Sequence, residues 1–335
     1  MVLDIFTWVI GFAISLYVLV KSSDYFTESA EKLGIYFKIP SFIVGVTIVA
    51  MGTSMPELAS SVMAVLGGVS EVVSANIVGS NIANILLVLG IAAVVSKKAL
   101  TVEWELIHVD LPIFVAAAFL LAFSIMDGVF VIWEAILSLM AFGVYISYSI
   151  TKQKEHKIMM EAAEAKKVIS RELKEEEEVK KKRLSWKTPT TLVLSIIAIA
   201  ISAHFTILSL ENISNLLQIG AEIIAASALA LGTSLPEVMV TYKLAKKGKG
   251  EMAIGTVLGS NIFNTFGIMG VSGLIGTLLV PKSMILLGIP VMLGATLLYF
   301  FATEDKEVSK WEGWIFIILY ILFIYHLISG SILLF

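Results

Sequence analysis

The sequence repeats itself at an offset of 180 residues, and this repetition constrains the fold more than any other feature. Residues 52–90 align with residues 232–270 without a gap, and 13 of the 39 aligned pairs are identical. The identities concentrate in two blocks. Gly-Thr-Ser-Met-Pro-Glu at 52–57 recurs as Gly-Thr-Ser-Leu-Pro-Glu at 232–237, and Gly-Ser-Asn-Ile-Ala-Asn at 79–84 recurs as Gly-Ser-Asn-Ile-Phe-Asn at 259–264. Such repetition indicates that one structural unit occurs twice.

The polar blocks lie in a chain that is otherwise strongly apolar. Of the 335 residues, 58% are hydrophobic and 15% are charged, whereas a soluble domain carries about 25% charged residues. A helix of about 20 residues crosses the hydrocarbon of a bilayer. Ten stretches are apolar and long enough to do so: 3–20, 40–66, 72–96, 109–126, 128–150, 189–209, 219–245, 252–279, 283–301 and 311–335.

The basic residues predict how these spans are oriented. Lys and Arg concentrate in the cytoplasmic connections of membrane proteins. If both termini face outside, 23 of the 24 basic residues fall in inside connections and Lys282 alone falls outside. We therefore expect a multi-pass protein of the cell membrane, with both termini outside and the charged loop 151–188 in the cytoplasm.

Each copy of the repeat contains five spans, so the second copy must enter the membrane upside down relative to the first. We predict an all-α integral membrane protein of ten transmembrane helices, built as two inverted-topology five-helix repeats. The first repeat is 1–150, with its motif region at about 43–90. The segment 151–188 is a cytoplasmic charged connector, and the second repeat is 189–335, with its motif region at about 223–270. Inverted repeats are typical of secondary transporters.

Two carboxylates lie well inside apolar spans, roughly at the middle of the membrane. Glu57 and Glu237 are repeat-related, and a carboxylate at this depth costs several kcal/mol, so it usually marks a functional site. Pro56 and Pro236 directly precede them. A proline within a helix removes one backbone donor and frees the carbonyl oxygen four residues earlier. Backbone broken in this way is tolerated in a membrane where it lines a cavity or an ion site.

Further oxygen atoms are expected around the glutamates. The hydroxyls that precede each glutamate by four and three residues share its helical face, and each partner helix carries a serine and an asparagine one turn apart. These residues are Thr53, Ser54, Ser80 and Asn84 in the first repeat, and Thr233, Ser234, Ser260 and Asn264 in the second. Oxygen ligands suit Ca²⁺ and Na⁺, and the chain has no Cys to bind a softer metal. Asn81 and Asn261 lie about 100° round the helix from the two serines, and we expect them to form interhelical hydrogen bonds.

At these residues the sequence resembles the cation/calcium exchanger superfamily, and in particular its prokaryotic sodium/calcium exchanger-like branch. That superfamily carries two inverted repeats with Gly-Thr-Ser-x-Pro-Glu and Gly-Ser-Asn-x-x-Asn/Asp. The resemblance implies that Glu57 and Glu237 are the central Ca²⁺ ligands, assisted by backbone oxygens of Thr53 and Thr233, and that Asn84 and Asn264 close the centre. It also implies flanking Na⁺ sites, formed by the Ala50 carbonyl, Thr53, Ser54 and Ser80 on one side and by the Ala230 carbonyl, Thr233, Ser234 and Ser260 on the other.

The charge of the site favours antiport. Two neighbouring carboxylates oppose each other's ionisation in a low dielectric, so the site should cross the membrane only when cations or protons neutralise it. We expect a secondary active antiporter that exchanges Ca²⁺ for Na⁺ across the cytoplasmic membrane by alternating access, and not an enzyme. The resemblance implies K⁺ independence, because potassium-dependent members carry Asp where this chain has Asn264, and it implies electrogenic exchange of three Na⁺ for one Ca²⁺. We expect no cofactor and no nucleic-acid partner, and a monomer that functions alone in the lipid bilayer.

Four alternatives remain open at this point. The same glutamates could cycle protons in an H⁺/Ca²⁺ antiporter, or the exchange could depend on K⁺. A passive cation channel would show flux without counter-ion dependence. An intramembrane protease could use Ser54 with His204, but the chain has neither a repeat-symmetric His nor paired Asp.

Overall fold

The computed structural model describes residues 2–36, 50–101, 110–168 and 186–333 of a largely helical chain. The start of the second predicted span and residues 169–185 of the predicted connector lie outside these ranges. The first half contains α1 (Val2–Tyr36), α2 (Ala50–Thr53), α3 (Met55–Gly67), α4 (Glu71–Ile82), a π-helical segment (Ala83–Leu89), α5 (Gly90–Val95), β1 (Leu100–Thr101), α6 (Asp110–Ile125), β2 (Val129–Phe130) and α7 (Ile132–Val168).

The second half repeats this order of elements. The helix break at Ser234 and the π-helical segment that begins at Phe263 fall 180 residues after the break at Ser54 and the π-helical segment that begins at Ala83. The elements are α8 (Lys187–Leu217), α9 (Ala221–Ile224), a π-helical segment (Ala225–Leu229), α10 (Ala230–Thr233), α11 (Leu235–Lys246), α12 (Gly250–Ile262), a π-helical segment (Phe263–Ile268), α13 (Met269–Ile275), β3 (Leu278–Leu279), a π-helical segment (Met284–Gly288), α14 (Ile289–Glu304), β4 (Glu307–Val308) and α15 (Lys310–Leu333).

Several of these helices are suited to crossing a membrane. Within the described residues, seven helices are long and apolar enough to do so, or eight if the bent pair 221–233 and 235–246 is one span. The shorter apolar helices Met55–Gly67 and Leu111–Ile125 coincide with parts of the second and fourth predicted spans. Helix α7 extends beyond the predicted fifth span, so the beginning of the predicted connector is helical. The prediction of an all-α membrane protein is confirmed.

Two short antiparallel ladders join the halves of the molecule. Strand β1 pairs with β4, with Leu100 opposite Val308. Strand β2 pairs with β3, with Val129 opposite Leu279. Each ladder therefore brings a connection of the first half beside a connection of the second half.

The ladders also show that the two halves run in opposite directions. Near the start of α4, the hydroxyl of Ser74 donates to the Leu279 carbonyl in β3 at 3.0 Å. The start of α12 lies at the other ladder, because a Cβ on Gly250 would be 2.9 Å from the backbone nitrogen of Thr101 in β1. The equivalent helices α4 and α12 thus begin at opposite ends of the molecule, as an inverted repeat requires. We call these ends the β2–β3 face and the β1–β4 face.

The centre of the molecule is formed by α4, α12 and the π-helical segments that follow them. Every residue from Val72 to Ile82 is buried. Helices nearer the periphery instead expose large apolar side chains, such as Trp133 on α7 and Ile318 on α15. A helix that is apolar on its exposed face is suited to contact with lipid. The buried α4 and α12 carry the second polar block of each repeat, and this places those blocks in the protein interior.

Candidate ion-binding site

Each glutamate lies just after a break in a membrane helix. In the first half α2 ends at Thr53, Ser54 interrupts the helix, and α3 begins with Pro56 in its first turn. In the second half the helix bends by 40° at Ser234, between the segments 221–233 and 235–246. Proline is tolerated in a first turn because the missing N–H has no helical partner there. The prolines therefore favour a new helix at this point, and each glutamate lies in its first turn.

This position has an electrostatic consequence. The first turn of a helix presents unpaired N–H groups and the positive end of the helix dipole, and both stabilise a negative charge. The preceding helix ends at the same level and presents carbonyl oxygens. A discontinuous helix of this kind offers both signs of partial charge at one depth in the membrane.

Both glutamates are completely buried, at 0% exposure. Within the part of the chain that the structure describes, neither forms an ion pair with a basic side chain. Each interacts instead with a serine of the other half: Ser54 Oγ donates to Glu237 Oε1 at 2.9 Å, and Ser234 Oγ donates to Glu57 Oε1 at 3.4 Å. Because each serine precedes one glutamate by three residues and bonds the other, these contacts bring the two carboxylates close together. The site therefore lies between the repeats and is built from both.

These contacts differ from the expected arrangement in one respect. The sequence places Ser54 on the same helical face as Glu57, three residues away. The helix break at Ser54 removes the regular geometry on which that expectation rests, and the side chain crosses to Glu237. Thr233 differs from Ser234, because its hydroxyl donates within its own helix, to the Leu229 carbonyl at 3.1 Å and the Ala230 carbonyl at 3.3 Å.

The other oxygens predicted to bind ions differ in the hydrogen bonds that they form. Ser260 Oγ donates to Glu237 Oε1 at 3.4 Å. The Ala230 carbonyl already accepts hydrogen bonds, from the Ser234 backbone N–H at 3.1 Å and from Thr233 Oγ1 at 3.3 Å. Ala50 opens α2 and directly follows residues that the structure does not describe.

The four asparagines of the second blocks form bonds between the halves. Asn84 Nδ2 donates to Asn261 Oδ1 at 3.1 Å, and Asn264 Nδ2 donates to Asn81 Oδ1 at 3.1 Å. The expectation of interhelical hydrogen bonds at Asn81 and Asn261 is confirmed. Asn81 Nδ2 also donates to Thr265 Oγ1 at 3.0 Å, a contact that sequence reasoning missed. In Asn84 and Asn264 the amide nitrogen is held by these bonds, and the carbonyl oxygen is left for another partner.

Several buried oxygens of the site receive no hydrogen bond from any described residue. They are Glu57 Oε2, Glu237 Oε2, Asn84 Oδ1, Asn264 Oδ1 and Ser80 Oγ. Buried polar atoms are nearly always paired, so a group of unpaired oxygens needs an explanation. A hard cation supplies one, because carboxylate, amide and hydroxyl oxygens are its preferred ligands. Among the described residues, no three His, Cys, Asp or Glu side chains lie close enough together to hold a metal ion. Two carboxylates and neutral oxygens would therefore provide the coordination.

Other unpaired buried groups lie beyond this central set. Ser61 Oγ, Thr241 Oγ1 and both amide atoms of Asn76 have no partner within the described part of the chain. Sequence reasoning assigned them no role. A signal was present, because Ser61 and Thr241 are hydroxyl residues at equivalent repeat positions.

Inverted repeats of membrane helices around a pair of buried carboxylates define a secondary transporter. The sequence matches the model of the sodium/calcium exchanger protein family over residues 7–151 and 187–329. The chain therefore belongs to this family, and it is a membrane-embedded cation/Ca²⁺ exchanger.

Individual relatives agree with this assignment over almost the full chain. The sodium/calcium exchanger MaX1 of Methanosarcina acetivorans is 32% identical over 336 aligned positions, which cover 93% of this chain and 95% of that protein. An uncharacterized membrane protein of Methanocaldococcus jannaschii is 29% identical, covering 95% of this chain and 97% of that protein. A solved structure of the sodium-calcium exchanger NCX_Mj, soaked with 2.5 mM Na⁺ and 10 mM Sr²⁺, matches with a TM-score of 0.64 at 26% identity and covers 95% of this chain and 98% of that chain.

Proposed function

We propose that the protein is an antiporter that moves Ca²⁺ out of the cell in exchange for Na⁺, by alternating access and without K⁺. The observation that carries the proposal is the pair of buried glutamates from opposite repeats, each bonded by a serine of the other repeat. Glu57 and Glu237 would be the central Ca²⁺ ligands. Their unpaired Oε2 atoms, together with Asn84 Oδ1 and Asn264 Oδ1, would provide the first coordination shell.

The flanking oxygens are proposed to bind Na⁺. One group would comprise the Ala50 carbonyl, Thr53, Ser54 and Ser80, and the other the Ala230 carbonyl, Thr233, Ser234 and Ser260. The contacts at the second group support a role near Glu237, because Ser260 bonds this carboxylate directly. The Ala230 carbonyl would bind an ion while also accepting its present hydrogen bonds, since a carbonyl oxygen has two lone pairs.

Charge explains why transport would be coupled. Two buried carboxylates that have no basic partner among the described residues are strongly disfavoured in a low dielectric. One Ca²⁺ neutralises both carboxylates, and several Na⁺ can do the same. The site would therefore switch from one side of the membrane to the other when it is loaded with either ion and not when it is empty. An exchange of three Na⁺ for one Ca²⁺ would move one net charge per cycle and would be electrogenic.

Asn264 supports independence from K⁺. Its amide nitrogen donates to Asn81 Oδ1 at 3.1 Å, so the side chain presents a neutral oxygen to the site. An aspartate here would add a third negative charge and would allow one more monovalent cation to be neutralised. With two carboxylates only, the proposed site balances one Ca²⁺ without a further ion.

Ion fluxes in proteoliposomes test the proposal. Purified protein is reconstituted, and ⁴⁵Ca²⁺ uptake is measured under an imposed Na⁺, K⁺ or pH gradient in turn, with the membrane potential clamped or left free. We expect uptake that requires an outward Na⁺ gradient, is unaffected by K⁺ and responds to the potential. Uptake driven by a pH gradient without Na⁺ would replace the proposal by H⁺/Ca²⁺ antiport. A requirement for K⁺ would refute K⁺ independence, and Ca²⁺ flux without any counter-ion would indicate a channel.

The proposed orientation puts both termini and the β2–β3 face outside, and the β1–β4 face and the 151–188 connector in the cytoplasm. The ladders support this partition, because each one groups connections that the charge distribution assigns to the same side. The chain has no cysteine, so Thr101→Cys and Leu279→Cys would each carry a single thiol at an exposed position. A membrane-impermeant maleimide should label Leu279→Cys in intact cells and Thr101→Cys only after lysis. The opposite pattern would invert the proposed orientation.

The proposed ligands all come from one chain, so a monomer should contain the complete site. Exchange activity that scales linearly with the amount of protein reconstituted, down to one copy per vesicle, is the expected result.

A further inference from the structure

We propose that Asn76 and Ser61 form a cation transfer site on the path between the central glutamates and the β2–β3 face. This inference rests on the proposed function and adds to it a site that lies outside the central ligand set. Asn76 is 0% exposed and Ser61 is 1% exposed. The amide oxygen and nitrogen of Asn76 and the hydroxyl of Ser61 have no hydrogen-bond partner among the residues that the structure describes.

The position of the pair follows from a contact in the other repeat. Ser260 Oγ contacts Glu237 Oε1 at 3.4 Å, so α11 and α12 meet at these two residues. The equivalent residues of the first repeat are Glu57 on α3 and Ser80 on α4, two helices that are consecutive and run in opposite directions.

A step of one turn on each of these helices leads from the central site to the proposed one. Four residues onward from Glu57 is Ser61, and four residues back from Ser80 is Asn76. Because the helices are antiparallel, both steps run in the same direction along the membrane normal, and each residue stays on the same helical face. The pair is therefore about 6 Å from the level of Glu57 and Ser80, on the side of the connection between α3 and α4.

That connection belongs to the β2–β3 face. Ser70 and Ser74, which flank the start of α4, both bond to Leu279 of β3. Carboxylates lie at the same end: Glu71 is the first residue of α4, and the Glu211 carboxylate would be 3.4 Å from a Cβ added to Gly67. A cation arriving from this face would meet negative charge first, then the neutral oxygens of Asn76 and Ser61, and then Glu57.

The ligands of this pair suit transient binding of a cation more than tight binding. An amide oxygen and a hydroxyl can replace two waters of a Na⁺ or Ca²⁺ ion, and Glu57 lies one turn away to attract it further. With no carboxylate of its own, the pair would hold a partly hydrated ion weakly. Removal of water in steps would lower the cost of moving the ion into the dry central site.

The second repeat provides no equivalent site. Thr256 takes the place of Asn76, and its hydroxyl is bonded to the Met252 carbonyl at 2.8 Å. Thr241 takes the place of Ser61 and keeps an unpaired hydroxyl, but the residue at the position equivalent to Asn76 carries no amide. The transfer site should therefore serve one face of the membrane only.

The test compares the two faces. The half-saturating Ca²⁺ concentration is measured with Na⁺-loaded right-side-out and inside-out vesicles, for the wild type and for Asn76→Ala, Ser61→Ala and Asn76→Asp, with Thr256→Ala as the matched control. We expect the two alanine variants to raise this concentration about threefold to tenfold at the β2–β3 face, the effect of losing one or two neutral oxygen contacts. The value at the opposite face, the maximal rate and the Thr256→Ala control should be unchanged, and Asn76→Asp should lower the value at the β2–β3 face.

Other outcomes would overturn the inference. An unchanged concentration, or an equal change at both faces, would mean that Asn76 and Ser61 serve packing or bind only a structural water. If Asn76→Ala fails to elute as a folded protein in detergent, Ser61→Ala and Asn76→Asp decide the question by the same criterion. Wild-type exchange is the reference: its absence would refute the proposed function, whereas normal wild-type exchange with unaltered variants would refute the transfer site alone.

Discussion

Replacing either central glutamate by glutamine removes one negative charge and keeps the size of the side chain. Glu57→Gln leaves an amide oxygen that Ser234 can still bond, and Glu237→Gln leaves one for Ser54. The hydrogen bonds that join the repeats at this point can therefore survive, and we expect both variants to fold and insert. What changes is the charge available to balance Ca²⁺, which falls by half.

The size of the effect follows from the burial of the pair. Both carboxylates are completely buried, and removing one partner of a buried charged contact costs about 3 kcal/mol or more. That loss corresponds to a Ca²⁺ affinity about 150-fold weaker. A site loaded with Ca²⁺ would also keep one uncompensated positive charge, so its passage through the membrane should fail as well. Exchange should be abolished in both variants.

The assay is Na⁺-driven ⁴⁵Ca²⁺ uptake into proteoliposomes that contain equal amounts of each variant. Glu304→Gln is the matched control, because it makes the same chemical change at an exposed position and should retain wild-type exchange. The elution profile in detergent reports whether each variant is folded. Exchange within a few-fold of the wild type in either Glu57→Gln or Glu237→Gln would refute the proposed role of the pair.

Three further outcomes are expected. Ser54→Ala should weaken Ca²⁺ affinity about threefold to tenfold, and Ser234→Ala should have a smaller effect, because their bonds to the opposite glutamates are 2.9 and 3.4 Å long; equal effects in ⁴⁵Ca²⁺ uptake would contradict this reasoning. Asn264→Asp should make Ca²⁺ exchange sensitive to K⁺, and identical uptake with and without K⁺ would argue against its place in the site. Gly79→Ala should lower the free energy of unfolding by about 1–3 kcal/mol, because the added Cβ would lie 2.5 Å from the backbone oxygen of Ala226. Gly255→Ala should leave the melting temperature unchanged or raise it, because no atom of the other described elements lies within 4 Å of the added Cβ.

The central features of the site could be predicted from the sequence because they depend on local pattern. The apolar stretches predict membrane helices, and the prolines at 56 and 236 predict the helix breaks that the structure contains. Glu57 and Glu237 could be singled out because a carboxylate in the middle of an apolar span is costly wherever the span packs. The repeat implied that the two would meet, since copies of inverted orientation share a centre.

Contacts between the repeats could not be read in the same way. Local spacing assigns Ser54 to Glu57, but the side chain bonds Glu237, 183 residues away. The bond from Asn84 to Asn261 and the ladder between β1 and β4 depend equally on how the halves pack. The unpaired state of Asn76 was also invisible, because it depends on the absence of a neighbour among the described residues that pack against α4.

The sequence by itself determined that this chain spans a membrane, that its two halves are inverted copies, and that each copy contributes a carboxylate within an apolar span. These properties follow from hydrophobicity and from the number of spans, and both can be read from the order of the residues without knowing how the helices pack. Only the tertiary structure decided which hydroxyl serves which carboxylate and which oxygens stay unpaired. Those choices depend on distances between residues about 180 positions apart, and such distances are set by the packing of helices and not by any local pattern.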